Sequence, residues 1–60
     1  MKVSLKLKSG TKVESEDGEV EISGSSVYLV DKSGQLIFGY CLIPGEIVRQ
    51  ETKGEYIVEF

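Results

Sequence analysis

A short turn of one lysine and one serine or threonine followed by glycine recurs three times in this chain of 60 residues. It reads Lys8-Ser9-Gly10, Lys32-Ser33-Gly34 and Thr52-Lys53-Gly54, and each copy joins two runs in which apolar and polar residues alternate. Alternation with a period of two is typical of β-strands. A turn that ends in a left-handed glycine gives a three-residue hairpin loop with a bulge. The chain is therefore predicted to be a series of β-hairpins.

The other glycines and the single proline place the remaining turns. Gly24-Ser25 suits a type II′ hairpin turn, and residues 15–18 are predicted to form a corner where the chain leaves one sheet direction for another. Pro44 cannot donate a hydrogen bond within a sheet, so the strand before it ends near residue 42. We predict strands at about 2–8, 11–15, 19–23, 26–31, 35–42, 46–51 and 55–60.

Turn length also fixes which residues face each other across each hairpin. Asp31 is placed to accept a hydrogen bond from the backbone two residues further on. The predicted cross-strand pairs are Leu5 with Val13, Ile22 with Val27, Val20 with Leu29, Val30 with Leu36, Tyr28 with Phe38, Val48 with Val58 and Gln50 with Tyr56.

Composition agrees with this pattern. The chain has no alanine, the best helix former, but seven valines and five isoleucines, which favour strands. We predict a single all-β domain over 1–60, with no substantial helix. Successive bent hairpins usually close into a small barrel or a rolled sheet. The expected architecture is therefore a small SH3-like or OB-like barrel of short antiparallel strands.

Two segments resemble the small SH3-like and Sm-like barrels. The segment from Leu42 to Val48 (Leu42-Ile43-Pro44-Gly45-Glu46-Ile47-Val48) is similar to the point where a strand of those proteins ends, a short glycine turn follows and the last strand begins. The Lys8-Ser9-Gly10-Thr11 turn after an alternating first strand is similar as well. Pro44 stands where that family has a basic residue, and the asparagine after the turn glycine is absent. The resemblance therefore implies a fold and no site residue.

Missing residue types exclude several functions. With no histidine and one cysteine, Cys41, the chain can form no Ser-His-Asp or Cys-His catalytic group and no Cys/His zinc site. No phosphate-binding glycine loop is present. We therefore expect a protein that is not an enzyme and uses no cofactor or metal. No apolar run is long enough for a membrane helix, and an unpaired cysteine favours a reducing compartment such as the cytoplasm.

The hairpin 26–43 is apolar on both faces, although a small domain has only one core. One face should therefore be exposed, and exposed apolar patches usually mark association. A chain of this length is also marginally stable alone. We predict that the protein is a homo-oligomer, or binds another protein, through this hairpin. The interface candidates that the predicted register places together are Tyr28, Val30, Leu36, Phe38, Tyr40 and Leu42.

Two alternatives stay open. A Lys-rich first strand could be an edge protected against aggregation, could pair with the acidic strand beside it, or could contact phosphates. In the last case the protein is a nucleic-acid-binding barrel, a function that the net charge of −3 and the pI near 4.8 disfavour. Its candidate residues are Lys2, Lys6, Lys8, Tyr28, Phe38 and Tyr40. The repeated turn chemistry also fits a designed scaffold with no natural function.

Overall fold

Seven strands form the whole of the regular structure in the computed structural model, which describes residues 2–60. Each of the seven predicted strands is present, with ends that differ from the prediction by no more than two residues. The strands are β1 (Val3–Lys6), β2 (Lys12–Ser15), β3 (Glu19–Ser23), β4 (Ser26–Val30), β5 (Leu36–Cys41), β6 (Ile47–Thr52) and β7 (Glu55–Glu59).

The strands are divided between two sheets. One sheet has the order β2-β1-β7-β6, and the other has the order β3-β4-β5. The corner predicted at residues 15–18 is confirmed, because it carries the chain from β2 in the first sheet to β3 in the second. The prediction that all strands are antiparallel is wrong for one pair, since β1 and β7 are parallel. These strands lie at opposite ends of the chain, so no turn between them specifies their direction.

Most of the predicted registers are confirmed. Leu5 faces Val13, and the pairings of β3 with β4 and of β6 with β7 also agree with the prediction. Gly24 has a φ of 60°, while among residues 2–60 no residue other than glycine has a positive φ. Ser25 therefore has a negative φ, and the turn is of type II′, because a type I′ turn needs a positive φ at both central residues.

The all-β fold class is confirmed, but neither sheet closes on itself. The two sheets are open, with β2 and β6 at the edges of one and β3 and β5 at the edges of the other. Strand pairing therefore gives two small open sheets and not a hydrogen-bonded barrel. The described residues form no helix, and hence none long and apolar enough to cross a membrane.

A small core lies between the inner faces of the two sheets. Its buried hydrophobic residues are Val3, Leu5, Val27, Leu29 and Val58. Around these, half-buried side chains pack from both sheets: Leu7, Val13, Val20, Phe38, Tyr40, Leu42, Val48 and Tyr56. Several large apolar side chains stay outside and are between 46% and 68% exposed: Ile22, Leu36, Ile37, Ile43, Ile47 and Phe60. The fold therefore buries only part of its apolar surface.

The Lys-rich first strand lies in the middle of its sheet. β1 is hydrogen-bonded to β2 on one side and to β7 on the other. The interpretation of this strand as a protected edge is therefore wrong. Pairing with the acidic strand, the other structural interpretation, is observed: Lys2 and Glu14 of β2 form an ion pair of 3.1 Å. Lys12 approaches the same carboxylate at 3.3 Å. Together the two ammonium groups lower the pKa of Glu14, chiefly through the hydrogen bond from Lys2.

Gly54 lies in the turn between β6 and β7, at a point where no side chain fits. Its φ of 81° is left-handed, and a Cβ there would lie 2.6 Å from the backbone oxygen of Lys2. The carbonyl of Gly54 accepts a hydrogen bond of 2.8 Å from the N–H of Ser4. This turn is therefore attached to β1, beside the parallel β1–β7 pair.

We expect Gly54→Ala to destabilise the protein more than Gly34→Ala does. Gly34 is a matched control, because it has a similar φ of 88° but open space where a Cβ would lie. Both variants bear the cost of a left-handed alanine, about 1–2 kcal/mol. The clash with Lys2 should add about 1–3 kcal/mol for Gly54→Ala. Urea unfolding followed by circular dichroism measures both losses, and equal losses would contradict the assigned contact.

Candidate interaction surface

β5 is the one edge strand among the described strands that carries no charge. β2, β3 and β6 each have at least two charged side chains, as protected edges commonly do. β5 reads Leu-Ile-Phe-Gly-Tyr-Cys and contains no proline. One side of β5 pairs with β4, and its other side pairs with no strand of the chain. An uncharged, unpaired edge of this kind is a template for the addition of another strand.

The residues of β5 are also more exposed than those of its neighbour. No residue of β5 is buried, whereas Val27 and Leu29 of β4 are completely covered. The relative exposure of Leu36 is 58%, and that of Ile37 is 46%. A strand composed of apolar and uncharged residues thus lies open to water along its side chains as well as along its backbone edge.

The backbone groups of β5 alternate between the two sides of the strand. The N–H of Leu42 donates to the carbonyl of Ser25 at 2.7 Å, so these two opposed residues form a hydrogen-bonded pair of the ladder. In an antiparallel pair every second residue does the same. The backbone N–H and C=O groups of Phe38 and Tyr40 therefore bond to β4, while those of Gly39 and Cys41 point to the unpaired edge. These groups are available to a further strand.

The predicted register of this hairpin is wrong beyond its turn. Val30 does face Leu36, but the register shifts between Leu29 and Val30, so that Leu29 faces Phe38. Ile37 is the extra residue at this bulge. As a result Tyr28 lies opposite Gly39 and not opposite Phe38. A single added residue moves the whole of the following strand to the opposite face.

The six predicted interface residues consequently do not share a face. Phe38, Tyr40 and Leu42 pack against the core cluster that contains Val27. Tyr28 and Val30 lie on the outer face of the sheet, beside the exposed Leu36. Gly39 and Cys41, which were not among the predicted interface residues, also lie on this outer face, opposite Tyr28 and Ser26. The full burial of Val27 and Leu29 gives the physical reason, since the large Phe38 and Tyr40 side chains fill the core beside them.

Tyr28 covers the glycine in the middle of β5. A Cβ at Gly39 would lie 3.4 Å from Cδ1 of Tyr28, so the ring lies against the backbone of the opposite strand. An aromatic side chain across from a strand glycine replaces the packing that the glycine lacks. This contact supports Gly39 from the outer face and leaves its backbone edge open.

Asp31 fixes the turn at one end of β5. Its carboxylate accepts hydrogen bonds from the hydroxyl of Ser33 at 2.6 Å and from the N–H of Ser33 and of Gln35, each at 2.9 Å. The predicted bond to the backbone two residues on is thus confirmed. These donors, with the Ser33 hydroxyl first, lower the pKa of Asp31. Because the N–H of Asp31 also donates to the carbonyl of Gln35, both backbone groups of Gln35 are occupied.

Glu46 fixes the turn at the other end. Its carboxylate is buried and accepts hydrogen bonds from the N–H of Ile43 at 2.8 Å and from the hydroxyl of Tyr40 at 3.0 Å. The N–H of Glu46 in turn donates to the carbonyl of Ile43 at 3.0 Å. Burial of the Tyr40 hydroxyl is the larger cause of its raised pKa, and the hydrogen bond to Glu46 raises this pKa further. One carboxylate thus ties the end of β5 to the turn that leads into β6.

The nucleic-acid candidates are not brought together. Lys2 and Lys6 belong to the sheet that contains β1, while Tyr28 lies on the outer face of the other sheet. Phe38 and Tyr40 pack against the core. Lys8 lies over the ring of Phe60, with its Nζ 2.9 Å from the ring centre. The structure therefore contains no basic groove lined by the three predicted aromatic residues.

Comparison with protein-family models, with curated proteins and with solved structures finds no match to this chain. Within residues 2–60, no group of three or more carboxylate or cysteine side chains is arranged to hold a metal ion. The candidate site is therefore defined by strand pairing, exposure and charge, and its centre is the open edge of β5.

We expect the loss of the Glu46 carboxylate to be more damaging than the loss of the Tyr40 hydroxyl. Glu46→Ala leaves the Ile43 N–H and the Tyr40 hydroxyl without their acceptor, and an unsatisfied buried donor costs about 1–3 kcal/mol. Tyr40→Phe removes a donor but leaves Glu46 bonded to Ile43. The melting temperatures of the two variants, measured by thermal unfolding, give their order of stability. If Glu46→Ala were more stable than Tyr40→Phe, the role given to this carboxylate would be contradicted.

Titration of Tyr40 should also make the free energy of unfolding fall as the pH rises in the alkaline range. A tyrosine pKa raised in the folded state favours the neutral hydroxyl, so its contribution is fully present below the ordinary value of about 10. It is lost as the pH rises through the raised value. We expect Tyr40→Phe to lose less stability than the natural chain between pH 9 and 11, about the range of ordinary tyrosine titration. Identical profiles for the two proteins in denaturant would show that this hydroxyl is not perturbed.

Proposed function

We propose that this protein is a non-enzymatic assembly module that associates with a second copy of itself by strand addition at the open edge of β5. The observation that carries the proposal is the contrast between the four sheet edges: three carry charges, and β5 carries none while four of its six residues are exposed. Strand addition uses backbone hydrogen bonds for affinity and side chains for specificity. The surface lies within the predicted hairpin 26–43.

The small core supports a need for association. Five buried hydrophobic residues stabilise two sheets, while six large apolar side chains stay at least 46% exposed. Full burial of a leucine or isoleucine is worth about 1.5–3 kcal/mol, so covering half-exposed Leu36 and Ile37 is worth about 1 kcal/mol each. Backbone pairing adds about 0.5–1.5 kcal/mol for each hydrogen bond. Because association also costs translational and rotational freedom, these small gains predict association that is weak and reversible.

A second copy suits this edge better than a nucleic acid or a charged peptide does. Nothing on β5 attracts phosphate or a charged side chain, because its six residues are uncharged. Two β5 strands brought together oppose only uncharged residues, so no like charges are placed across from each other. Interfaces are also enriched in aromatic residues and depleted of charge at their centres.

Two finer expectations belong to the same proposal. The two open sheets, packed through a shared core and joined by the corner at residues 15–18, serve as the halves of a small SH3-like barrel that packing closes. The module works in a reducing compartment such as the cytoplasm, which suits an exposed, unpaired Cys41 beside the associating edge.

Proline at position 41 tests strand addition against a matched control. Cys41→Pro removes an N–H that points to the open edge and leaves the bonds to β4 intact, a position where a strand tolerates proline. Cys41→Val keeps the N–H. By two-fold symmetry the proline removes two hydrogen bonds per dimer, so we expect the dissociation constant to rise about 5- to 150-fold. Cys41→Val should associate like the natural chain.

Sedimentation across a concentration series measures both variants, with circular dichroism as the check that each is folded. If Cys41→Pro does not fold, a synthetic chain with N-methylglycine at position 39 removes the neighbouring edge N–H instead. A natural chain that is strictly monomeric at high micromolar concentration would refute the proposal. Equal association of Cys41→Pro and Cys41→Val in their folded states would also refute it.

A further inference from the structure

We infer, on the basis of the proposed function, that the two copies pair β5 with β5 in antiparallel orientation about a two-fold axis at Tyr40. In this arrangement Gly39 of each copy faces Cys41 of the other. The two three-stranded sheets then become one continuous sheet of six strands. The inference specifies the partner strand, its direction and its register.

Symmetry favours the pairing of β5 with itself. The same edge on both copies gives an isologous contact, which closes after two chains. Pairing of β5 with β2, β3 or β6 of a second copy would leave another β5 edge open and would continue into a filament or a ring. Those three edges also carry the charges that protect an edge from pairing. A two-fold pair leaves no uncharged edge exposed.

The bonds at the two ends of β5 determine the register. At one end Ile37 is the extra residue of a bulge, and both backbone groups of Gln35 before it are bonded to Asp31. At the other end the N–H of Ile43 is bonded to the Glu46 carboxylate and its C=O to the N–H of Glu46. The regular, available stretch therefore runs over residues 38–42, and its middle residue is Tyr40.

Within this stretch the groups that face the open edge belong to Gly39 and Cys41. To form hydrogen bonds, a new strand must place its own edge-facing residues opposite Gly39 and Cys41. Because every second residue of a strand faces the same edge, the register can change only in steps of two residues. With the axis at Tyr40, both residues of each copy pair with both residues of the other and form four hydrogen bonds. An axis at Gly39 would place Cys41 opposite the bulged Ile37, and an axis at Cys41 would leave Gly39 opposite the occupied Ile43.

Side chains agree with the same register. The two Tyr40 rings meet across the axis on the inner face, and Phe38 meets Leu42 of the second copy. Aromatic and aliphatic cross-strand pairs of this kind stabilise sheets. On the outer face each Gly39 lies opposite a small cysteine, so the Tyr28 ring that covers Gly39 keeps its place.

Disulfide trapping distinguishes the registers. Directly opposed, hydrogen-bonded residues have Cα atoms about 5.5 Å apart, within disulfide range, while diagonal residues are about 7–8 Å apart, at or beyond its limit of about 7 Å. We expect the natural chain, with Cys41 alone, and the variant G39C/C41S to form no covalent dimer under mild oxidation. A mixture of the two should form the covalent heterodimer, because position 39 of one faces position 41 of the other.

Each other result has its own meaning. If G39C/C41S forms a covalent dimer by itself, the axis lies at Gly39. If the natural chain forms a covalent dimer by itself, the axis lies at Cys41. Either result would overturn the register. The mixture of I22C/C41S with the natural chain is the control for random collision. Association without the mixed disulfide would overturn this inference and leave the proposed function standing, whereas the absence of association would overturn the proposed function itself.

Amide hydrogen exchange on the natural chain gives a test free of mutation. As concentration rises, exchange should slow at the Gly39 and Cys41 amides, because these N–H groups point to the paired edge. Exchange along the open edge of β3 should not change. Slowing at β3 with none at Gly39 would show that the copies meet through the other edge of this sheet and would overturn the inference.

Discussion

The contact between the inner faces of the two sheets determines which surface of this molecule is left over. Each sheet is too small to hold a core of its own, so Leu5 and Val58 of one must pack with Val27 of the other. Phe38 and Tyr40 complete this layer from β5. With these rings packed against the core, β5 keeps its backbone edge and its outer face open to water, and both are uncharged.

Local chemistry made much of this fold predictable. Turn residues such as Asp31, together with Gly24-Ser25, act over three or four residues, and the strand count, the type II′ turn and most registers followed from them. The parallel pairing of β1 with β7 could not be predicted, since these strands are joined by no turn. Their pairing is selected by the shared core and by the attachment of Gly54 to Ser4.

The sequence identified the hairpin that contains the candidate site but not which of its faces points to the core, because this too depends on tertiary packing. The hairpin 26–43 was identified from its two apolar faces, but which face is internal depends on the bulge at Ile37. A bulge in this position changes no turn residue and leaves alternation intact on either side of it. Its energetic basis is tertiary: it allows Phe38 to face Leu29 and fill the core while Asp31 still closes its turn. That preference is visible only when both sheets are present.

The carboxylates of Asp31 and Glu46 together determine where along β5 another strand can add. Each carboxylate satisfies backbone groups in the turn beside β5, and together they confine the free edge donors and acceptors to the strand between Gln35 and Ile43. The same bonds that hold the monomer together therefore limit where another strand can add. Since a ligand that binds only the folded state stabilises that state, strand addition at this edge also strengthens a domain whose own core is small.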